Sequence, residues 1–222
     1  MNFNRIKIAL YATYLTNRYG LILKRTETSA AKKRIRLEYA QKLLAALHID
    51  VLVKGKEKLP KEGRFLLITN HRSIIDPLII EVALKETDIF GLWVSKKELY
   101  NSFFFGIFTR NAGSILLDRD AKQMSGFFKD IKSGVDEGNS IFLFPEGTRN
   151  KEASDLSDFK DGARIIAVKN NPGPMFLWAW LIAIITAAGV ATAFVGLALA
   201  FPLLGHATWH AYREIRGPAS DV

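Results

Sequence analysis

Two residues five positions apart, His71 and Asp76, have the types and spacing that general-base chemistry needs. They lie between an apolar run at 65–68 and apolar residues with helical spacing, which predicts a strand, a loop and a helix. Because Asp76 precedes Pro77, it is predicted to be the N-cap of that helix. If the loop folds the imidazole back onto the carboxylate, His71 is a base that Asp76 orients. The alternative is a capping aspartate beside an incidental surface histidine.

A second group of polar residues, Glu146, Gly147, Thr148 and Arg149, follows a strand-like run that ends at Pro145. The guanidinium group of Arg149 suits a phosphate, because it can form paired hydrogen bonds with phosphate oxygens. Glycine lets the backbone approach a ligand closely, and the threonine hydroxyl can donate a further bond. The alternative is that Gly147 is only a turn residue.

Between these groups lies a third, Gly-Ser-Ile-Leu-Leu-Asp-Arg at 113–119. The three motifs, in this order, resemble those of the lysophosphatidic acid acyltransferase (1-acylglycerol-3-phosphate acyltransferase) family. The resemblance covers about residues 30–170. It implies a glycerolipid acyltransferase-like α/β fold, in which a sheet is flanked by helices.

The resemblance also implies roles for individual residues. His71 and Asp76 would be catalytic, and the motif at 146–149 would bind the glycerol-phosphate part of the acceptor. The guanidinium group of Arg119, by its own chemistry, also suits that phosphate, although it could instead pair with a neighbouring aspartate. Glu146 would contact the acceptor hydroxyl or hold its loop.

The implied activity is transfer of a fatty acyl group from acyl-CoA or acyl carrier protein to a lysophospholipid, above all 1-acyl-sn-glycerol 3-phosphate, giving phosphatidic acid. There is no Gly-x-Ser-x-Gly elbow and no cysteine, so direct attack on the thioester is expected rather than an acyl-enzyme. No cofactor and no metal ion are expected. The alternative is a non-catalytic, membrane-anchored remnant or fusion that lacks the later strands, because the likeness stops after Asn170.

Strand-like and helical segments alternate between residues 49 and 170, which predicts an α/β sheet with parallel pairs. The expected strands are 49–53, 64–69, 89–94, 112–117 and 140–144. The expected helices are 77–86, 122–137 and 159–169. If the strands are parallel, all three motifs lie at one edge of the sheet. The phenylalanines at 103–105 and 108 are either core residues or an apolar wall for an acyl chain.

The positive charge is concentrated in residues 1–64, which hold 15 Lys and Arg against 5 Asp and Glu, whereas the rest has a net charge of −1. This asymmetry favours a polyanionic partner, and the interleaved apolar residues favour lipid over nucleic acid. Two basic amphipathic helices are predicted, at 3–23 and at about 28–47, and they are expected to lie on a membrane surface. The alternative is that both pack on the domain and expose a solvated basic face.

Residues from Met175 to Gly205 carry no charge over 31 positions. As a helix this run would reach about 46 Å, which is enough for one bilayer crossing. The short segment 201–213 resembles part of an uncharacterised family of multi-spanning bacterial membrane proteins.

Three regions are therefore expected in the chain. Residues 1–48 form the surface helices, 49–170 the acyltransferase domain, and 171–222 a hydrophobic, transmembrane helix with a short tail. The expected location is the membrane, at the cytoplasmic face of the bacterial inner membrane.

Overall fold

A computed structural model describes residues 3–118, 124–152, 154, 156–170, 172–191, 202 and 205–207. The chain divides into two compact units, Met1–Ala167 and Val168–Val222. The first unit contains all four strands of the described residues, and the strands are β1 Leu66–Ile68, β2 Gly91–Lys96, β3 Ser114–Leu117 and β4 Ser140–Leu143. The helices are α1 Phe3–Lys24, α2 Ser29–Ala46, α3 Asp76–Ala83, α4 Lys97–Tyr100, α5 Gly106–Asn111, α6 Ser125–Asp136, α7 Gly162–Asn170 and α8 Pro172–Ala191.

The strands form one parallel sheet in the order β1-β4-β2-β3. Leu67 and Trp93 lie opposite Phe142 from the two sides, and Val94 lies opposite Ile115 in the β2–β3 pair. The predicted α/β fold with parallel pairs is confirmed. Because all four strands run the same way, their carboxyl ends share one edge of the sheet.

The centre of the sheet is the most deeply buried part of the fold. All four residues of β4 are buried, because the strand has neighbours on both sides and apolar side chains cover it. Phe142 is 2% exposed and Ile141 is 2% exposed. Ile141 packs with Ile131 of α6, a helix that ends before Gly138, whose φ of +92° suits glycine. Phe142 packs with Trp93 in a separate buried cluster. This core holds the loops at the carboxyl edge in place.

The predicted strand at 49–53 is wrong. These residues form no ladder with any described strand. Among the described strands, β4 is the only neighbour of β1. The side chain of Leu52 is 83% exposed. Apolar β-branched composition predicts extended backbone, but a strand also needs a neighbour whose backbone groups it can pair with.

The two N-terminal helices exist as predicted, and each buries apolar side chains inside the first unit. Thr28 caps α2 by accepting the N–H of Ala31 at 3.3 Å. Ala40 and Leu44, which belong to the predicted apolar face of α2, are buried inside the protein. The alternative reading, packing on the domain, therefore describes α2.

Arg36 lies off the apolar face that the sequence predicts for α2, yet it is buried. It is 3% exposed, pairs with Glu81 of α3, and donates to the carbonyl oxygens of Gly91 at 2.7 Å and Ala112 at 3.1 Å. The indole N–H of Trp93 donates to the same carboxylate at 3.0 Å. A buried charge is tolerated only when it is paired and hydrogen-bonded in this way.

The predicted membrane-crossing helix from Met175 to Gly205 is not found. In the part of the chain that the structure describes, no helix combines the length and the apolar character that a bilayer crossing needs. The helix described in this region, α8, comprises the 20 residues Pro172–Ala191. Positions 192–201, 203 and 204 lie outside the described residues, as does most of 201–213, so the resemblance of that segment stays a prediction.

Candidate active site

The imidazole of His71 and the carboxylate of Asp76 meet in the loop between β1 and α3. Nδ1 of His71 lies 2.9 Å from Oδ2 of Asp76. The same oxygen accepts the backbone N–H groups of Arg72 at 2.7 Å and Ser73 at 2.8 Å. The prediction that Asp76 is the N-cap is wrong: Ile75 caps α3, and Asp76 is its first residue. Its carboxylate turns back to the backbone donors of the loop that precedes the helix.

The surroundings of His71 fix both its tautomer and its orientation. Beside an ionised carboxylate, which only accepts, a neutral imidazole donates from Nδ1 and presents the lone pair of Nε2. The ring stacks on Phe144, with 4.0 Å between centroids and 13° between planes. Its side chain is 18% exposed, which leaves an edge accessible to a ligand. The geometry suits a base that takes a proton at Nε2.

Glu146 is buried behind His71 and holds the histidine loop. Its Oε1 accepts the backbone N–H of His71 at 2.7 Å, and its Oε2 accepts both the N–H and the hydroxyl of Ser157. Burial raises the pKa of the Glu146 carboxyl, but the bonds from Ser157 and His71 outweigh burial and keep that pKa below its ordinary value of 4.5. Of the two roles proposed from the sequence, the observed contacts are those of a loop-holding residue.

The stability that the Glu146 carboxylate gives to the histidine loop should depend on pH. We expect Glu146→Gln to lower the free energy of unfolding, and the difference from the parent protein to be fully present above pH 4.5, the ordinary pKa of the unfolded carboxyl. As pH falls through the lower folded pKa, the carboxylate is protonated and the difference should shrink. Urea unfolding from neutral pH down to about pH 3 measures it. A difference that does not change with pH would show that the ionised carboxylate does not stabilise this loop.

The turn after β4 carries the other predicted binding residues to the same place. Gly147 has a φ of +67°, a left-handed conformation that favours glycine, and its N–H donates to the carbonyl of Phe144 at 3.0 Å. Thr148 and Arg149 are exposed. These three residues and His71 all line one cavity. The structure therefore brings two of the three sequence motifs together.

The cavity is large and mostly apolar. Its volume is about 1190 Å³, and its walls come from α1, α2, α5 and the carboxyl ends of the strands. Phe104, Phe105 and Phe108 line it, whereas Phe103 is 86% exposed. Lys96, the last residue of β2, also lines it and was not anticipated from the sequence. Three of the four phenylalanines are thus cavity walls rather than only core.

The middle motif is described only in part. Arg119 lies outside the described residues, so its predicted phosphate contact stays a prediction. Asp118 follows β3 and accepts Nζ of Lys97 at 2.7 Å. In the sheet, β2 lies between β3 and β4, so this motif ends a strand two positions away from the turn at 146–149.

Sequence reasoning missed two residues that hold the histidine loop. Asn150 is 5% exposed and donates its backbone N–H to the carbonyl of His71 at 2.6 Å. It directly follows the motif at 146–149, and that adjacency was a usable signal. Ser157 lies eleven positions after Glu146, outside any motif, and no sequence signal marks it.

Known proteins match the middle of the chain. A family model described as Acyltransferase matches residues 50–185. A 1-acyl-sn-glycerol-3-phosphate acyltransferase of Helicobacter pylori is 38% identical over 108 residues, which cover 48% of this chain and 44% of that protein. The Bacillus subtilis protein of that name is 30% identical over 128 residues, covering 58% and 61%. A lyso-ornithine lipid O-acyltransferase of Rhizobium meliloti is 29% identical over 133 residues, covering 58% and 44%. The chain spans about half the length of these curated relatives.

A solved structure shares the fold. The crystal structure of the 1-acyl-sn-glycerophosphate (LPA) acyltransferase from Thermotoga maritima superposes with a TM-score of 0.52 at 22% identity. The superposition covers 76% of this chain and 72% of that one. At this identity the likeness concerns the mixed α/β fold with its parallel sheet.

Proposed function

The chain belongs to the acyltransferase family, and we propose that it transfers a fatty acyl group from a thioester donor to 1-acyl-sn-glycerol 3-phosphate, giving phosphatidic acid. The observation that carries this proposal is the 2.9 Å contact of His71 Nδ1 with Asp76 Oδ2 in the wall of a large apolar cavity. An oriented base beside an apolar cavity suits acyl transfer to the hydroxyl of a lipid. The names of the Helicobacter pylori and Bacillus subtilis relatives supply the acceptor.

In the proposed reaction, Nε2 of His71 takes the proton of the acceptor hydroxyl while the oxygen attacks the thioester carbonyl. Asp76 stabilises the imidazolium that forms, through the hydrogen on Nδ1. The tetrahedral intermediate then collapses, the C–S bond breaks, and the imidazolium gives its proton to the departing thiolate. The products are the new ester and a free thiol. The chain has no cysteine, so a cysteine acyl-enzyme plays no part.

We assign the acceptor phosphate to the turn at 146–149 and to Arg119. Arg149 is exposed at the cavity, so its guanidinium can form paired bonds with a phosphate monoester. Gly147 lets the phosphate approach the backbone, and Thr148 adds a hydroxyl donor. The apolar walls at Phe104, Phe105 and Phe108 would cover an acyl chain.

The decisive experiment is an assay of thiol release by the purified full chain. With lysophosphatidic acid as acceptor, we expect thiol to appear from acyl-CoA, from acyl-acyl carrier protein, or from both, and comparison of the two identifies the donor. Lyso-ornithine lipid, suggested by the Rhizobium meliloti relative, is the competing acceptor. Thiol release that does not require an acceptor, or no release with any donor, would overturn the proposal. The second result would favour the non-catalytic alternative, which the lack of a strand after β4 among the described residues also suggests.

We further propose that α1 contacts a lipid surface, at the cytoplasmic face of the bacterial inner membrane. This helix exposes five large apolar side chains: Leu10, Tyr11, Tyr14, Leu21 and Ile22. Basic residues of the same helix, among them Arg5 and Arg18, are also exposed. Apolar side chains with interleaved cations suit an anionic lipid interface. The lipid contact falls to α1 because the apolar face of α2 is buried in the protein.

We expect the double substitution Leu10→Ser with Tyr14→Ser to weaken binding to vesicles that contain phosphatidylglycerol. These side chains are 66% and 58% exposed, so the change removes lipid contacts with little effect on packing. Co-sedimentation at low salt measures the bound fraction, and high salt should also reduce binding of the parent. Leu52→Ser is the matched control, since Leu52 is 83% exposed and lies outside α1. Equal losses in both variants would rule out a specific role for α1.

A further inference from the structure

The turn after β4 holds the backbone of His71 from both sides. The N–H of His71 donates to Oε1 of Glu146 at 2.7 Å, and its carbonyl accepts the N–H of Asn150 at 2.6 Å. Phe144 and Asp76 contact the ring, and Asp76 also accepts the next two backbone N–H groups of the loop, but the contacts to the backbone of His71 itself come from Glu146 and Asn150. The position of the imidazole therefore depends on where the carboxylate of Glu146 lies.

Ser157 fixes that carboxylate through its other oxygen. The hydroxyl of Ser157 donates to Oε2 of Glu146 at 2.6 Å, and its backbone N–H donates to the same atom at 3.1 Å. Glu146 is 1% exposed, so solvent has little access to replace a lost donor. A hydroxyl that donates to a carboxylate forms one of the stronger kinds of hydrogen bond.

The backbone around Ser157 is tied to the histidine loop independently of the Ser157 side chain. The guanidinium group of Arg72 donates to the carbonyl oxygens of Glu152 at 3.1 Å and Ser154 at 2.6 Å. The side-chain amide of Asn150 donates to the carbonyl of Ser154 at 2.9 Å. Removing the Ser157 hydroxyl leaves these contacts in place, so its effect can be measured without dismantling the loop.

We propose that Ser157 is a positioning residue for acyl transfer, acting on His71 through Glu146. This inference rests on the proposed function. Without the hydroxyl, Oε2 keeps only the backbone donor, the carboxylate can rotate, and the N–H of His71 loses its fixed acceptor. Ser157 does not belong to the cavity wall, so the base should be misplaced while substrate binding is kept.

The test compares Ser157→Ala with Ser157→Thr and with Ser154→Ala. We expect Ser157→Ala to lower kcat about tenfold with little change in KM. Ser157→Thr keeps the hydroxyl and should recover most of the rate. Ser154→Ala is the matched control, because the contacts of Ser154 are made by its carbonyl group. A parental kcat in Ser157→Ala, or an equal loss in Ser154→Ala, would overturn the proposal.

Amide hydrogen exchange tests the same link without turnover. The His71 N–H should exchange faster in Ser157→Ala than in the parent and in Ser154→Ala, because its acceptor is no longer held. Unchanged exchange of the His71 N–H would overturn the proposal, whatever the rates of acyl transfer are. Faster exchange in a protein that shows no turnover would support the positioning role of Ser157 and refute only the proposed function. If Ser157→Ala does not fold, Ser157→Cys replaces it, because the thiol is a weak donor. In this variant the His71 N–H should exchange faster than in the parent and in Ser154→Ala, but more slowly than an amide that has lost its acceptor. A parental exchange rate of the His71 N–H would count against the proposal.

Discussion

Replacing His71 with alanine is expected to lower kcat for acyl transfer by about 10²- to 10⁴-fold, the usual effect of losing a general base. The fold should survive, because His71 lies in a loop and its backbone bonds to Glu146 and Asn150 do not need the imidazole. Initial rates of thiol release with saturating lysophosphatidic acid measure kcat. Thermal unfolding and vesicle binding, measured on the same preparation, show whether the variant is otherwise intact.

His48→Asn is the matched control for this substitution. His48 is exposed at the end of α2, with a φ of 56° that asparagine tolerates, and we expect parental rates from it. Asp76→Asn should fall between the parent and His71→Ala, because the amide can still contact Nδ1 but no longer stabilises an imidazolium. Near-parental turnover in His71→Ala would remove this residue from the mechanism.

Substituting Arg149 with alanine is expected to lower kcat/KM for lysophosphatidic acid roughly tenfold or more, because a charge-assisted hydrogen bond contributes about 1.5–3 kcal/mol. The loss should be much smaller for a neutral monoacylglycerol, which has no phosphate to bind. Arg149→Lys should recover only part of the rate, since lysine supplies charge without the paired donors. The measurement is kcat/KM for both acceptors in parent and variants.

Arg164→Ala controls for the loss of a surface cation. Arg164 lies on α7, is exposed, and pairs with Asp161 at 3.2 Å. We expect the ratio of kcat/KM for the two acceptors to be the same in this variant as in the parent. If Arg149→Ala lowers kcat/KM by the same factor for both acceptors, Arg149 supports the turn rather than the phosphate, and that assignment has to be abandoned.

Local patterns in the sequence were sufficient for the framework. Alternating apolar runs and helical spacing predicted the parallel α/β sheet, and three motifs at strand ends predicted a shared edge for the site. Each of these inferences needs only neighbours in sequence, because strand, turn and helix preferences act over a few residues. The segment at 49–53 shows the limit of such local patterns, because its composition favours a strand but it pairs with no described strand.

Contacts between distant residues were decided by the tertiary structure alone. Ser157 meets Glu146 across eleven positions, and His71 meets Glu146 across 75. Arginine is usually a surface residue, but Arg36 is buried because it pairs with Glu81 and donates hydrogen bonds to two backbone carbonyl groups. The sequence predicted that the apolar face of α2 contacts lipid, but in the structure α1 and α3 pack against this helix. A sequence shows what each side chain can donate, accept or bury, but which groups supply the partners depends on how the elements pack, and that depends on the whole chain at once.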